Sequence, residues 1–274
     1  MNTQPFDNDT ILIHPSPQGA FIHAPSELAN RAAYFGDGLF ETMLFINGKI
    51  RFRQAHRARL KEGLQQLKIS DEKLTSIVAL ERFLGEQFGG APLRVRWNVY
   101  RGGLGKYTPQ NHEARELILI QKATPSQTIK RTAYISTEIT VPKSPWSHCK
   151  TLNALTYVMA NIERHEQGMD EVILKDSSDY ISESGIANLF WMKESTFYTP
   201  SLSCSCIAGV ARGALLKHLM QQGISVMEGK FTKDDLLSAD QVFTTNVSGI
   251  AYLQKIENKE FDTHSIEIVE SLFN

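Results

Sequence analysis

Cysteine is scarce here: Cys149, Cys204 and Cys206 are the only three in 274 residues. That number is too small, and odd, for a disulfide framework. Cys204-Ser-Cys206 has no further ligands nearby at metal-binding spacing, so no metal site is expected. Long apolar runs are missing too. Nowhere do the roughly eighteen consecutive apolar residues of a spanning helix occur, and the opening stretch MNTQPFDNDT has neither a basic start nor an apolar core. The expectation is a cytoplasmic protein. Neither sign of charge dominates: 29 Lys and Arg stand against 30 Asp and Glu, a formal net charge of −1. This argues against nucleic acid or an acidic membrane surface as main partner and favours a small molecule. No repeat of fixed period and no low-complexity segment appears.

What is present reads as α+β in two units. Residues 10–23 suggest strand, Pro/Gly turn, strand; 39–53 alternate around Asn47-Gly48, a strong hairpin signal. Helical spacing follows over 56–67, with Leu60, Leu64 and Leu67 on one side, and again over 71–88. Strands are expected at 93–101 and 115–122. The run ATPSQT at 123–128 has turn composition and is the expected linker between a unit at 1–122 and another at 129–274. In the second unit strands are expected at 131–139, 171–175 and 241–245, with strand, tight turn, strand and hairpin over 180–200. Helices are expected at 151–167, closed by Gly168, at 210–222 and at 232–239.

Four places carry candidate chemistry. Lys150, just before an apolar helix, is either a solvated boundary residue or a reactive amine. Glu183, between two β-like runs, is either an exposed turn carboxylate or one held against a heterocyclic nitrogen that it keeps protonated. The run Ile207-Ala-Gly-Val210-Ala211-Arg-Gly enters a helix, where backbone N–H groups form an anion site unless the small residues only serve packing. Thr244-Thr245-Asn246 offers hydroxyl and amide donors at a strand end, or a plain turn. Arg59, with Arg53 and Arg57, reads by itself as the solvated side of an amphipathic helix.

Taken together, these blocks resemble the class IV aminotransferase family, fold type IV of the pyridoxal-phosphate enzymes. The resemblance runs from Tyr34-Phe35-Gly36-Asp37-Gly38-Leu39-Phe40-Glu41 through His56-Arg57-Ala58-Arg59-Leu60, Lys150-Thr151-Leu152-Asn153 and Glu183-Ser184-Gly185-Ile186-Ala187-Asn188 to Gly209-Val210-Ala211-Arg212. It implies a two-domain, D-amino-acid-aminotransferase-like fold with pyridoxal 5′-phosphate in the interdomain cleft. It further implies Lys150 as the Schiff-base lysine, Glu183 on the pyridine nitrogen and Ile207 against the ring. The phosphate would fall to Arg59, to the N–H groups of Val210 and Ala211, and to the side chains near Thr245 and Asn246. Ala211 departs from the threonine common there, so one hydroxyl contact is lost. The segment Arg101-Gly-Gly-Leu-Gly-Lys-Tyr107 is similar to the Gly-rich loop of aminodeoxychorismate lyases. That likeness implies elimination of pyruvate from 4-amino-4-deoxychorismate to leave 4-aminobenzoate, a step of folate biosynthesis, with Phe40, Arg101 and Tyr107 at the substrate. An amino-acid transaminase, branched-chain or D-specific, is the alternative; a cofactor-binding protein without turnover is the distant one. The family also implies a homodimer whose partner loop helps close each site.

Overall fold

The computed structural model describes residues 29–273 and the backbone of two short strands before them. These strands, β1 (Ile13–Pro15) and β2 (Phe21–His23), pair antiparallel; the Pro/Gly turn expected between them lies outside the described residues. There follow α1 (Arg31–Phe35), β3 (Gly38–Ile46), β4 (Lys49–Ile50), α2 (Arg53–Gln66), α3 (Ile77–Phe88), β5 (Leu93–Arg101) and β6 (Ala114–Lys122). Asn47 and Gly48 both have positive φ, 52° and 77°, as the tight hairpin turn between β3 and β4 requires. Pairing stops at Ile50 rather than continuing to residue 53, because Phe52 adopts a left-handed conformation and starts α2. The second helix begins only at Ile77, where the Ser76 side chain caps it by accepting from Ala79 N–H, so residues 71–76 are not helical.

Strands in the order β4-β3-β5-β6 make an antiparallel sheet. Its period of two divides the side chains cleanly. Met43, Phe45, Val95 and Trp97 bury one face against Leu60, Leu64, Leu80 and Leu84 of the two helices. Phe40, Thr42, Leu44, Arg94 and Arg96 take the other face. Each buried Leu or Phe is worth roughly 1.5–3 kcal/mol, so a one-residue slip that exchanged the faces is excluded.

After β6, residues 123–128 form no regular element. The chain continues with β7 (Ile129–Lys130), β8 (Ala133–Val141), α4 (Leu155–Glu166), β9 (Glu171–Asp176), β10 (Ile181–Ser184), β11 (Asn188–Lys193), β12 (Thr196–Pro200), α5 (Val210–Gln221), β13 (Val226–Gly229) and α6 (Lys233–Leu237). It ends with β14 (Gln241–Asn246), β15 (Gly249–Leu253), β16 (Lys255–Ile256), β17 (Lys259–Glu260) and α7 (Glu267–Glu270). Two mixed sheets result, ordered β10-β9-β8-β16-β17 and β13-β12-β11-β14-β15-β7. β11 is buried on both sides. Leu189 and Trp191 meet Ile173, Ile181 and Leu253 between the sheets, while Phe190 packs with Phe243, Leu215 and Leu219 under α5.

One seam matters for function. Residues 151–154, expected to be helical, instead continue from Lys150 along the start of β3: Phe40 N–H donates to Lys150 O at 2.9 Å and Leu152 N–H to Gly38 O at 2.9 Å. Asn153 lies so close to Gly36 that a Cβ there would meet it at 2.9 Å. The lysine backbone is thereby fixed beside Phe40.

Candidate active site

Between the four-stranded sheet and the C-terminal sheets lies a cavity of about 990 Å³, the size of a cofactor-plus-substrate site. Lys150 and Glu183 reach it from opposite elements, with Arg59, Ile207, Val210, Ala211, Thr245, Asn246 and Phe40 also on its walls. Two of the expected residues are absent from those walls.

Lys150 Nζ lies 4.6 Å from the centre of the Phe40 ring. Burial, reinforced by the Arg59 charge, pulls its ammonium well below the usual lysine range, against the opposite pull of Glu183 and Glu41. The amine therefore spends more of its time unprotonated than a surface lysine does. Glu183 is also buried, and burial pushes its carboxyl up. Tyr157 OH at 2.6 Å and Ile207 N–H at 3.0 Å, both on Oε1, work against that shift, and Asn188 Nδ2 donates to Oε2 at 3.3 Å. These contacts fix the carboxylate's orientation. They do not suit an exposed turn.

The anion end is built from α5. Gly209 caps the helix without any side-chain hydrogen bond, leaving the first-turn N–H groups to an outside acceptor. A Cβ at Gly209 would sit 1.9 Å from Asn188 Oδ1, so only glycine fits this approach. Ala208 N–H donates to His148 O at 2.9 Å, tying the loop to the Lys150 segment. Arg59 reaches the same loop, donating from Nη1 to Ala208 O at 3.3 Å. Thr245 Oγ1 is buried at the cavity with no hydrogen-bond partner, an unusual deficit in a folded chain.

Glu41 and His56 escaped the reading of the sequence. Arg59 donates to both Glu41 oxygens, through Nε to Oε1 at 2.8 Å and through Nη2 to Oε2, and His56 Nδ1 sits 2.5 Å from Oε2. Arg59 is thus an oriented residue, while Arg57 stays exposed. The available signal was Glu41 on the core-facing parity of β3, a carboxylate where an apolar residue belongs. Burial raises the Glu41 carboxyl, but the Arg59 charge and the His56 and Arg59 hydrogen bonds outweigh it, holding the pKa at about 2 against an ordinary 4.5. A depressed folded pKa stabilises above the unfolded value, and the benefit is lost as pH falls from 4.5 toward 2. Glu41→Gln should therefore cost about 3 kcal/mol at neutral pH and converge with wild type near pH 2 in acid-unfolding curves.

Arg101 and Tyr107, expected at the substrate, are not on the walls of this chain's cavity. Arg101 is buried, and its guanidinium is consumed by Asp37, by the Leu67 and Lys68 carbonyls at 2.7 and 2.8 Å, and by His112. Asp37 also pairs with Arg31, which donates to Lys106 O at 2.7 Å. The two arginines anchor the Gly-rich loop. Tyr107 stands at its tip, 90% exposed, outside the cavity of its own chain.

Residues 38–256 match the family model of class IV amino-transferases. The chain is 27% identical to an aminodeoxychorismate lyase of Vibrio harveyi over 86% of its length and 90% of that protein. It is 28% identical to a D-alanine aminotransferase of Bacillus licheniformis over 81% and 79% of the two chains. Among solved structures, the 4-amino-4-deoxychorismate lyase of Pseudomonas aeruginosa superposes with a TM-score of 0.75 at 25% identity, covering 89% of this chain and 92% of that one. With the family pattern extending from the first strand of the N-terminal sheet to the last sheet of the C-terminal half, the chain belongs to the class IV aminotransferases, a family of pyridoxal-phosphate-dependent enzymes.

Proposed function

We propose that the cavity holds pyridoxal 5′-phosphate on Lys150 and that the enzyme is a 4-amino-4-deoxychorismate lyase. The observation that carries the cofactor assignment is the convergence of a buried amine and a buried, triply held carboxylate with an uncapped helix start. The unpartnered Thr245 hydroxyl and the glycine-only approach at Gly209 fit a phosphate at that start. When bound, the cofactor supplies an aldehyde that captures the substrate amine and a ring that stores the electron pair released at the neighbouring carbon.

The protein's own groups do the rest. Lys150 would hold the cofactor's aldehyde carbon and, as a free amine, would take the proton from the substrate carbon that bears nitrogen. Glu183, as an anion, keeps the ring nitrogen protonated. Arg59, the Val210 and Ala211 N–H groups, Thr245 and Asn246 would hold the phosphate, and Ile207 would pack on the ring. Ala211 contributes only its backbone. Loss of the enolpyruvyl ether then gives pyruvate and 4-aminobenzoate.

The lyase reading is favoured by the Gly-rich loop and by the match to the Vibrio harveyi lyase over nearly the whole chain. A homodimer is part of the same proposal. Leu155, Val158, Met159 and Ile162 form an exposed apolar stripe on α4, joined by Ile186 and Trp146 at the cavity rim, and an apolar patch of this kind suits burial against a second copy. The loop bearing Tyr107 would then close the partner's cavity. Residues 123–128, some of which line the cavity, would link the two domains.

Incubating purified holoenzyme with 4-amino-4-deoxychorismate should yield pyruvate and 4-aminobenzoate in equal amounts without any added 2-oxo acid acceptor. Absence of both products, with amino transfer from D-alanine or a branched-chain amino acid to 2-oxoglutarate, would make the enzyme a transaminase.

A further inference from the structure

Arg51 stands just before α2 and outside the cavity wall, yet it grips a turn that belongs to that wall. Val247 and Ser248 form the two-residue turn between β14 and β15, closed by the pairing of Asn246 with Gly249. The carbonyls of such a turn have no partner in the strand ladder. Arg51 Nη1 donates to Val247 O at 3.2 Å and to Ser248 O at 3.5 Å, while Nη2 donates to Phe273 O at 2.9 Å. Phe273 also closes over this group. Its ring centre lies 5.6 Å from the Arg51 guanidinium and 5.6 Å from the Phe52 ring, which it meets edge-on at 83°. Burial lowers the Arg51 pKa, and among the described residues no carboxylate opposes that shift. Desolvating a guanidinium is costly, and here backbone carbonyls from distant parts of the chain offset the cost.

The parts joined in this way are those that would meet the cofactor phosphate. Thr245 and Asn246 immediately precede the gripped turn; the Thr245 hydroxyl is buried without a partner, and Asn246 Oδ1 accepts from Ser248 N–H at 2.8 Å. Phe52 is the left-handed residue from which α2 starts, and Arg59 lies seven residues further on, about two helical turns. Phe273 follows α7, whose Val269 packs with Leu215 and Leu219 of α5, the helix whose first turn forms the anion end. A hydrogen bond weakens steeply once distance and angle leave a narrow range. Donors from three separate elements therefore serve one anion only while their spacing is held. We propose that Arg51, with Phe52 and Phe273, is a clasp that holds this spacing, which makes Arg51 a positioning residue for the cofactor phosphate. The proposal rests on the reading of the cavity as a pyridoxal-phosphate site.

The test compares pyridoxal 5′-phosphate with pyridoxal, which lacks the phosphate, each titrated into the full chain freed of cofactor and followed by its absorption band. The ratio of the two affinities isolates the phosphate contacts; in wild type it should exceed about a hundredfold, the range of two charge-assisted hydrogen bonds. Arg51→Met, which keeps the stem and loses every donor, should weaken pyridoxal 5′-phosphate by about tenfold and leave pyridoxal unchanged. Phe273→Leu removes only the ring contacts and should lower the ratio by about threefold; it decides the matter if Arg51→Met does not fold. An unchanged ratio in either folded variant, or an equal loss of both ligands, overturns the proposal and makes the contact purely structural. A wild type without preference for the phosphate form fails one step earlier: it removes the reading on which the proposal rests, and the proposal with it.

Discussion

Lys150→Ala should lose turnover by about 10³–10⁴-fold, because the variant lacks both the amine that attaches the cofactor and the base that moves the substrate proton. The side chain ends in an existing cavity, so its removal opens no new void in packed core. Burial also works against its charge, and an amine whose folded pKa is depressed gives no stability at neutral pH. The unfolding midpoint of the apoprotein should accordingly not fall. Steady-state rates together with thermal unfolding check this. A variant that keeps more than a tenth of wild-type activity would contradict the role given to Lys150; one that loses activity only by unfolding would leave the loss a matter of structure.

Glu183→Gln is expected to have the second largest effect, a fall in kcat of about 10²–10³-fold, the range seen when one preorganised electrostatic contact is removed. Shape is conserved, and the amide oxygen can still accept from Tyr157 OH and Ile207 N–H, both of which use a single oxygen in the native protein. The new amide nitrogen then faces Asn188 Nδ2, donor against donor, and the negative charge is gone. The loss should appear in kcat with a smaller change in cofactor affinity, since the phosphate contacts lie elsewhere. Rates against pH add a second check. Burial raises the wild-type carboxyl, so its activity should decline on the acid side at a pH above the ordinary carboxylate range. The Gln variant should lack that limb. Near-normal kcat, or an unchanged acid limb, would contradict the assignment.

Local signals in the sequence located much of this. Asn47-Gly48 marked a hairpin whose turn needs two left-handed residues, and the leucine spacing of α2 marked its buried side; both depend on neighbours in the chain. The start of α3 was misplaced because residues 71–76 have helix-compatible composition, while the Ser76 cap sets the boundary. Residues 151–154 were misplaced for another reason: Leu152 N–H donates to Gly38 O and the preceding Lys150 O accepts from Phe40 N–H, pairings more than a hundred positions apart. Propensity does not report such pairing.

The candidate site divides in the same way. Lys150, Glu183 and the loop 207–211 are recognisable as blocks in order, and the cavity brings them together. Glu41 and His56 were missed, because a buried carboxylate on a core-facing strand position has meaning only once Arg59 is seen to cross over it. Arg101 was expected at the substrate because it opens a lyase-like Gly-rich loop, whereas in this chain Asp37, His112 and two backbone carbonyls take up its guanidinium.

The most direct measurement is borohydride reduction of the purified holoenzyme followed by peptide mapping of the pyridoxyl label. A single modified peptide, with the label on Lys150 and the visible absorption band lost on reduction, is the result expected. A label on Lys143 or another lysine, or an active enzyme that shows no cofactor band and takes no label, would contradict it.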